Sequence, residues 1–244
     1  MSDEHGRPWT VPAGRWTMAQ RWHDLLFMHW PVPVEVMQAL VPATLPLDTY
    51  DGVAWIGVVP FWMSGVRPRF LPTVPTLSRF PELNVRTYVM LDGKPGVYFF
   101  SLDAANAVAV EVARRCFGLP YFRAEMSSHW NGECVEYASQ RRDRGAPRAS
   151  FRARYRPVGG LLSDVGSGTL AWWLIARYCL YVVGADGRLR RREIDHRNWP
   201  LQAAEVEVDV NTMTVPLGLA LPDVEPLLHF SRRLDVVVWP EERV

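Results

Sequence analysis

The stretch that decides the fold is "ELNVRTYVMLDGKPGVYFFSLDA", residues 82–104. Two apolar-rich runs flank the segment "DGKPG", residues 92–96. An Asp-Gly pair between two such runs is the strongest short-range signal for a β-hairpin. The stretch therefore predicts two antiparallel strands joined by a tight turn.

Segments on both sides of this hairpin extend the sheet. The apolar runs "WHDLLFMHW" (22–30) and "DGVAWIGVVPFWMSGV" (51–66) predict buried strands. The segment "AANAVAVEVARR" (104–115) predicts a helix, with Asp103 as its N-cap and Gly118 as its left-handed stop. About ten strands with three helices predict an α+β fold built on an antiparallel, cone-like β-barrel with a few helices.

The composition is that of an ordinary globular protein. The chain has 244 residues, of which 48% are hydrophobic and 22% are charged. This length suits one core, so we expect a single domain over residues 1–244. The formal net charge is +1, which gives no general attraction to nucleic acid or to an anionic membrane. Of the 27 basic residues, Lys94 is the one lysine.

The sequence also predicts where the protein works. Its three cysteines are widely spaced and form no ligand pattern, which suggests reduced thiols in a cytoplasm. The start, "MSDEHGRPW", has no apolar core of a secretion signal. The longest apolar stretches are interrupted by Pro60 and Arg177 and are too short to span a bilayer. We expect a cytoplasmic protein without a membrane partner.

Polar residues alternate along the first strand of the hairpin. Side chains of a strand point to opposite faces in turn, so one face carries a carboxylate, an amide, a guanidinium and a phenol. These four residues are Glu82, Asn84, Arg86 and Tyr88. Such a face suits a small anionic or carbonyl compound, since arginine binds a carboxylate through two hydrogen bonds. An ordinary solvent-facing strand surface is the alternative.

Two histidines, His23 and His29, share one face of an earlier strand. Six residues along a strand cover about 20 Å, too far for both rings to bind one ion. His29 is a candidate general base, although a hydrogen-bonded core histidine is the alternative. The chain has no zinc-ligand spacing, phosphate loop or serine-hydrolase elbow, so we expect no metal and no cofactor.

The arginines of residues 141–156 could suggest a nucleic-acid partner. However, "SFRARYR" alternates cleanly, with Phe151, Ala153 and Tyr155 on one face and arginines on the other. That alternation is typical of any half-exposed strand. With a near-neutral chain and no recognised binding motif, we expect no nucleic-acid partner.

Several segments together resemble a known bacterial family. They are "WHDLLFMHWPV", "FPELNVRTYV", "GKPGVYFFSLDA", "LPYFRAEM" and "HRNWPLQ", in this order along the chain. They look like the YqjF-like family, also called domain of unknown function 2071, which is distantly similar to acetoacetate decarboxylase. The resemblance implies a cone-like antiparallel barrel with a small-molecule site inside. It also implies that the chain can self-associate into a homo-oligomer.

The resemblance places the decarboxylase machinery on particular residues of this chain. In the decarboxylase, a Gly-x-Pro turn precedes two lysines, one of which forms a Schiff base. Here Gly118 and Pro120 match the turn, but Tyr121 and Phe122 stand at the lysine positions. Glu82 falls where the acidic residue is expected.

The early arginine of the decarboxylase falls near Trp30 of this chain. Lys94 cannot replace the missing lysine, because a Schiff base needs an unprotonated amine and we expect Lys94 to be solvated in its turn. The resemblance thus implies that this is not a lysine-dependent decarboxylase.

Two functions follow from these residues. The first is a small-molecule-binding protein whose pocket takes a small carboxylate or carbonyl compound. Its walls and anchors would come from Asn84, Arg86 and Tyr88 together with Tyr121, Arg123 and Trp30. The second is a cofactor-free, lyase-like or hydrolase-like enzyme that acts on a keto acid through Glu82, Tyr121 or His29. A third interpretation assigns the many tryptophans to an oligomer interface.

Overall fold

The computed structural model describes residues 6–74, 77–184 and 186–244. Within these ranges the chain forms eleven strands, three α-helices and one short 3₁₀ helix, Val215–Leu217. The strands are β1 (Met18–Val32), β2 (Ala54–Pro68), β3 (Phe80–Leu91), β4 (Lys94–Ala104), β5 (Tyr121–Trp130), β6 (Val135–Arg141), β7 (Ser150–Leu161), β8 (Cys179–Val183), β9 (Leu189–His196), β10 (Leu201–Asn211) and β11 (Leu227–Arg243). The helices are α1 (Val34–Gln38), α2 (Ala107–Phe117) and α3 (Leu170–Ile175).

The hairpin expected at the centre of the sequence is formed by β3 and β4. The two strands pair antiparallel, and the turn consists of Asp92 and Gly93. Both turn residues have positive φ angles, 52° for Asp92 and 70° for Gly93. A two-residue turn with both φ angles positive matches the right-handed twist of the strands that it joins. The Asp-Gly signal is therefore confirmed.

The eleven strands form one sheet that curls until its strands make a ring. Their order is β1-β2-β3-β4-β5-β6-β7-β10-β11-β9-β8, and β1 also pairs with β11, while β4 also pairs with β8. Most neighbours are antiparallel, but β4 runs parallel to both β5 and β8. A parallel pair needs a crossover connection, which α2 provides between β4 and β5. The expected α+β class, a mostly antiparallel sheet with few helices, is confirmed.

Helix α2 has a polar N-cap, Asn106, and a glycine C-cap, Gly118. The side-chain oxygen of Asn106 accepts hydrogen bonds from the amides of Val108 and Ala109, and Gly118 ends the helix with φ 60°. The expected stop at Gly118 is confirmed. The expected N-cap at Asp103 is wrong, because β4 continues to Ala104 and Asp103 is still part of the strand.

Two apolar clusters cover the opposite faces of strands β1 to β3. The first cluster contains Leu83 and Val85 of β3 together with residues of β6 and β7 such as Tyr137 and Tyr155. The second cluster contains Tyr88 of β3 together with residues of β1, β2 and α3. Strand β3 is thus buried on both faces. The solvent-facing alternative is therefore wrong for the four residues called the β3 stripe from here on, which are Glu82, Asn84, Arg86 and Tyr88.

The arginines of β7 lie on the outer surface, as their alternation indicates. Phe151, Ala153 and Tyr155 are buried in the first cluster. Arg154 and Arg156 are exposed and form ion pairs with Glu207 and Glu205 on β10, each at 2.9 Å. Carboxylates on the neighbouring strand therefore balance this row of positive charges.

Two further observations concern the environment of the chain. No helix in the described ranges is long and apolar enough to cross a membrane. Cys134 and Cys179 are free thiols, and burial raises the pKa of Cys179 to about 12. The side chain of Cys116 and residues 1–5 lie outside the described part of the chain.

The buried ion pair between Asp103 and Arg141 gives a test of the fold. Arg141 Nη2 donates to Asp103 Oδ1 at 2.7 Å, and the two side chains are 2% and 0% exposed. We expect Asp103→Asn to lower the free energy of unfolding by about 3–5 kcal/mol, because it leaves a buried guanidinium without its counter-charge. Chemical denaturation would measure the change.

The exposed pair Arg154–Glu207 supplies the matched control. We expect Glu207→Gln to change the free energy of unfolding by only about 0–1 kcal/mol, because water screens the exposed charges. Equal losses in the two variants would contradict the assignment of Asp103–Arg141 as a buried structural pair.

Candidate functional site

The β3 stripe faces the second cluster, where three strands bring polar residues into register. His29 of β1 pairs with Gly57 of β2, and Gly57 pairs with Arg86 of β3. A Cβ atom at Gly57 would lie 3.1 Å from His29 Cδ2 and 3.5 Å from Arg86 Cγ. The glycine therefore leaves room for the imidazole and the base of the arginine side chain to approach over its backbone.

Arg86 is a buried cation for which the described residues provide no counter-charge. Its guanidinium carbon lies 5.2 Å from the centre of the Phe27 ring and 5.8 Å from the centre of the Tyr88 ring. Its Nε is buried without a hydrogen bond, and no described residue forms an ion pair with it. The residue retains 9% of its surface, so the site is not sealed from solvent. Buried charges are normally paired, so this guanidinium is exceptional in having no counter-charge among the described residues.

His29 lies beside this cation in its uncharged form. His29 Nε2 and the Tyr88 hydroxyl oxygen are 2.5 Å apart, a hydrogen-bonding distance. Burial holds the pKa of His29 well below its usual range, and the charges of Arg86 and Arg177 lower it further. At neutral pH the imidazole therefore contributes hydrogen bonding without charge. Its Nδ1 is buried and has no partner.

A second guanidinium, that of Arg177, approaches the Tyr88 ring. Its carbon lies 4.8 Å from the centre of that ring and 4.1 Å from the centre of the Trp173 ring. Arg177 Nη1 donates to Asp48 Oδ2, and Nε donates to the Trp173 carbonyl oxygen at 2.7 Å. Its Nη2 is buried without a partner.

The Asp48–Arg177 pair was not predicted from the sequence. Asp48 lies in the loop that follows α1, 129 residues before Arg177. No motif or spacing links the two positions. Among the described residues, the arginines beside Tyr88 contact only this one carboxylate, so one positive charge stays uncompensated.

Glu82 and Tyr121 meet at the other end of the β3 stripe. The Tyr121 hydroxyl donates to Glu82 Oε2 at 2.7 Å. Burial raises the pKa of Glu82 to about 8, although the hydrogen bond from Tyr121 opposes the shift. Burial and the nearby Glu82 raise the pKa of Tyr121 well above its usual range. At neutral pH the pair is therefore a carboxylic acid hydrogen-bonded to a phenol, able to release a proton but carrying little charge.

Asn84 separates the two ends of the stripe. Glu82 and Arg86 are four residues apart on β3, which corresponds to about 13 Å between their Cα atoms. The Asn84 side-chain oxygen between them is buried and unpartnered. The stripe thus has a cationic end, a neutral acidic end and a free amide oxygen between them.

The structure does not bring two of the expected residues to this site. Trp30 belongs to the first cluster, because alternation along β1 puts it on the face opposite to His29. Arg123 follows Tyr121 by two residues on β5, but its side chain is exposed. The expected wall of Arg86, Asn84, Tyr121 and Arg123 is therefore reduced to its first three members.

The remaining candidates lie elsewhere. His23 stacks on Trp62, with 3.9 Å between ring centres, and its Nε2 hydrogen-bonds Ser64. Lys94 is less solvated than expected, because its ammonium forms an ion pair with Glu193. The described part of the chain contains no group of three or more His, Cys, Asp or Glu side chains that could hold a metal ion.

Solved structures share this arrangement of strands. A structure of acetoacetate decarboxylase matches with a TM-score of 0.63 and 16% identity, over 100% of this chain and 98% of that one. The enduracididine biosynthesis enzyme MppR complexed with pyruvate matches with a TM-score of 0.62 and 11% identity, over 97% and 91%. Likeness at these identities concerns the fold, so the chain has an acetoacetate-decarboxylase-like fold.

Sequence comparison identifies the family. The family DUF2071, described as an uncharacterized conserved protein, matches residues 19–235. The uncharacterized protein YqjF of Bacillus subtilis (strain 168) is 47% identical over 231 residues, which cover 95% of this chain and 94% of that protein. The chain belongs to the DUF2071 family, and the resemblance seen in the sequence is confirmed.

The raised pKa of Glu82 predicts a dependence of stability on pH. The Glu82 carboxyl has a pKa of about 8 in the folded protein and near 4.5 in the unfolded chain. The folded protein therefore holds this proton more tightly. Ionisation therefore costs stability, and this cost grows as the pH rises through the interval between the two values. The slope for one such group is at most about 1.4 kcal/mol per pH unit.

We expect Glu82→Gln to remove this contribution, so that the variant loses less stability than the wild type between those pH values. Tyr121→Phe should extend the loss to higher pH, because it removes the hydrogen bond that favours the Glu82 carboxylate. Denaturant titrations at a series of pH values would measure both effects. Parallel pH profiles for the wild type and Glu82→Gln would contradict a buried, protonated Glu82.

Proposed function

We propose that this protein binds a small carboxylate or carbonyl compound against the β3 stripe, with Arg86 as the anion anchor. The observation that carries this proposal is the Arg86 guanidinium, which is buried among aromatic rings and has no counter-charge among the described residues. An anion that enters would gain charge-assisted hydrogen bonds in a poorly solvated place, where such bonds are strong.

Other groups on the same face would orient the ligand. The unpartnered Asn84 oxygen accepts a hydrogen bond, and the Phe27 and Tyr88 rings supply apolar surface. A few polar groups set among aromatic rings are typical of small-molecule sites. The structural neighbour that holds pyruvate supports a small keto acid as one member of the ligand class.

The absence of a lysine from this site excludes Schiff-base chemistry here. Tyr121 and Phe122 follow the Gly118 turn, and a phenol or a phenyl ring cannot form an imine. Arginine does not replace lysine, because its guanidinium does not deprotonate in proteins. The proposed site therefore binds its ligand without a covalent bond to an amine.

A second candidate function is a cofactor-free enzyme acting on a keto acid. The Glu82–Tyr121 pair favours it, because an acid whose pKa is about 8 is still protonated at neutral pH and can serve as a general acid. His29 is the candidate base, although its lowered pKa makes it a weak one. In this second function Arg86 would hold the carboxylate while Glu82 donates a proton to a carbonyl oxygen.

Three expectations from the sequence remain predictions. They are a single domain over residues 1–244, a cytoplasmic location and self-association into a homo-oligomer. The last can be measured by light scattering of the purified protein.

A thermal-shift panel tests the binding proposal. The probes are pyruvate, levulinate and butyrate, with acetone and butanone as neutral ketones. A probe at about 100 times its dissociation constant adds about 2.7 kcal/mol, which raises the melting temperature of a chain of this length by roughly 5–11 °C. We expect carboxylates to raise it and Arg86→Met to abolish the shift, because methionine keeps the contact with the rings but not the charge.

Arg123→Met is the matched control, since it removes an exposed arginine from the strand that carries Tyr121. We expect it to leave the shift unchanged. A shift that survives in folded Arg86→Met would contradict the role of Arg86, and no shift with any carboxylate would argue against the binding function.

Turnover separates the two candidate functions. We expect Glu82→Gln and Tyr121→Phe to keep the carboxylate-dependent thermal shift, since neither residue contacts the Arg86 guanidinium. Nuclear magnetic resonance of each probe incubated with the wild type would reveal any product. If product forms, general acid catalysis by Glu82 predicts a loss of about 10²–10⁴ in rate for Glu82→Gln. Full activity in that variant would contradict the enzymatic role of Glu82.

A further inference from the structure

Two arginines and one aspartate determine the net charge of the candidate site, and with it the charge of a ligand that fits there. The guanidinium groups of Arg86 and Arg177 both lie within 6 Å of the Tyr88 ring centre, at 5.8 Å and 4.8 Å. The Asp48 carboxylate forms an ion pair with Nη1 of Arg177. The side chains of Arg177 and Asp48 are 3% and 9% exposed, so solvent screens this pair weakly. One of the two positive charges is therefore compensated within the protein.

The other titratable groups around the site add no charge at neutral pH. Burial lowers the pKa of both His29 and His229, so both rings are neutral. Burial raises the pKa of Glu82, which holds that carboxyl in its protonated form. The charged groups beside Tyr88 are then Arg86, Arg177 and Asp48, whose sum is one positive charge.

We propose that the Asp48–Arg177 pair makes this site selective for singly charged carboxylates over doubly charged anions. The inference rests on the proposed binding function, and it assigns the specificity to Asp48. A monoanion neutralises Arg86 and leaves no net charge in the buried site. A dianion brings a second negative charge that has no free cation to meet it, and that charge lies near the Asp48 carboxylate.

Burial makes the second charge costly. A charge taken from water into a protein interior must find an opposite charge or enough hydrogen bonds. Like charges placed together at a binding surface are a common means of rejecting the wrong ligand. The charge of Arg177 does not meet this need, because Asp48 already balances it.

Nearly isosteric pairs of probes separate charge from shape. Pyruvate and oxalate differ by a methyl group in place of a carboxylate oxygen, and so do levulinate and succinate. At neutral pH the first of each pair is a monoanion and the second is a dianion. We expect the wild type to bind each keto acid at least about tenfold more tightly than its dianionic counterpart, as measured by calorimetry.

The variant Asp48→Asn tests the assignment to Asp48. It leaves two guanidinium groups without a counter-charge. We therefore expect the affinity for the keto acid, divided by the affinity for its dianionic counterpart, to fall at least about tenfold. The matched control is the double variant Asp48→Asn/Arg177→Met, which again leaves one free positive charge. We expect its affinity ratio to match that of the wild type, because the charge beside Tyr88 again sums to one positive charge. A buried ion pair can be replaced by neutral side chains with little effect on folding.

The outcomes distinguish this inference from the proposed function. If the wild type binds keto acids through Arg86 but binds the dianions equally well, the selectivity inference is overturned and the binding function stands. The same holds if folded Asp48→Asn keeps the wild-type ratio. If no probe binds at all, both fail. Should Asp48→Asn not fold, the wild type and the double variant decide, since a different ratio in the double variant would also overturn the inference.

Discussion

The burial of β3 on both faces is the constraint on which the rest of this site depends. One face supplies Leu83 and Val85 to an apolar cluster, and the other face lies under a second cluster. Any polar side chain on that second face is removed from water and must find a partner. Glu82 meets this requirement by staying protonated beside Tyr121. Arg86 cannot lose its charge, so it stays a cation for which the described residues offer no anion.

The fold is shared with acetoacetate decarboxylase, but the positions at which the resemblance places two lysines hold Tyr121 and Phe122. The turn ending at Gly118 leads into β5, and the residue that follows it into the site is Tyr121. Burial keeps this phenol protonated, and its hydrogen bond goes to Glu82. The position that the resemblance assigns to a nucleophile thus holds a hydrogen-bond donor. Recognition of an anion at Arg86 and proton donation at Glu82 are the chemistry that we propose for this face.

Much of this arrangement could be predicted from the sequence, because it follows from local rules. The alternation of side chains along a strand placed Glu82, Asn84, Arg86 and Tyr88 on one face, and the structure keeps them there. The Asp-Gly turn and the glycine stop of α2 depend on φ angles that few residues adopt. The family resemblance placed Glu82 and Tyr121 separately at the decarboxylase-like site, and the structure brings the two into contact.

The rest needed the tertiary structure, because it depends on which distant segment covers each face. Asp103 looked like a helix cap, but Arg141 from β6 reaches it within the sheet. Nothing near Arg177 in the sequence indicates Asp48, which a loop brings to it across 129 residues. Alternation assigned Arg123 to a face but could not show that this face is uncovered there. The sequence by itself therefore determined the central hairpin and the face of its strand on which each of these side chains lies. Only the tertiary structure decided which of these side chains are buried, and with that the charge of the site. The reason is that the curled sheet and distant segments of the chain cover them.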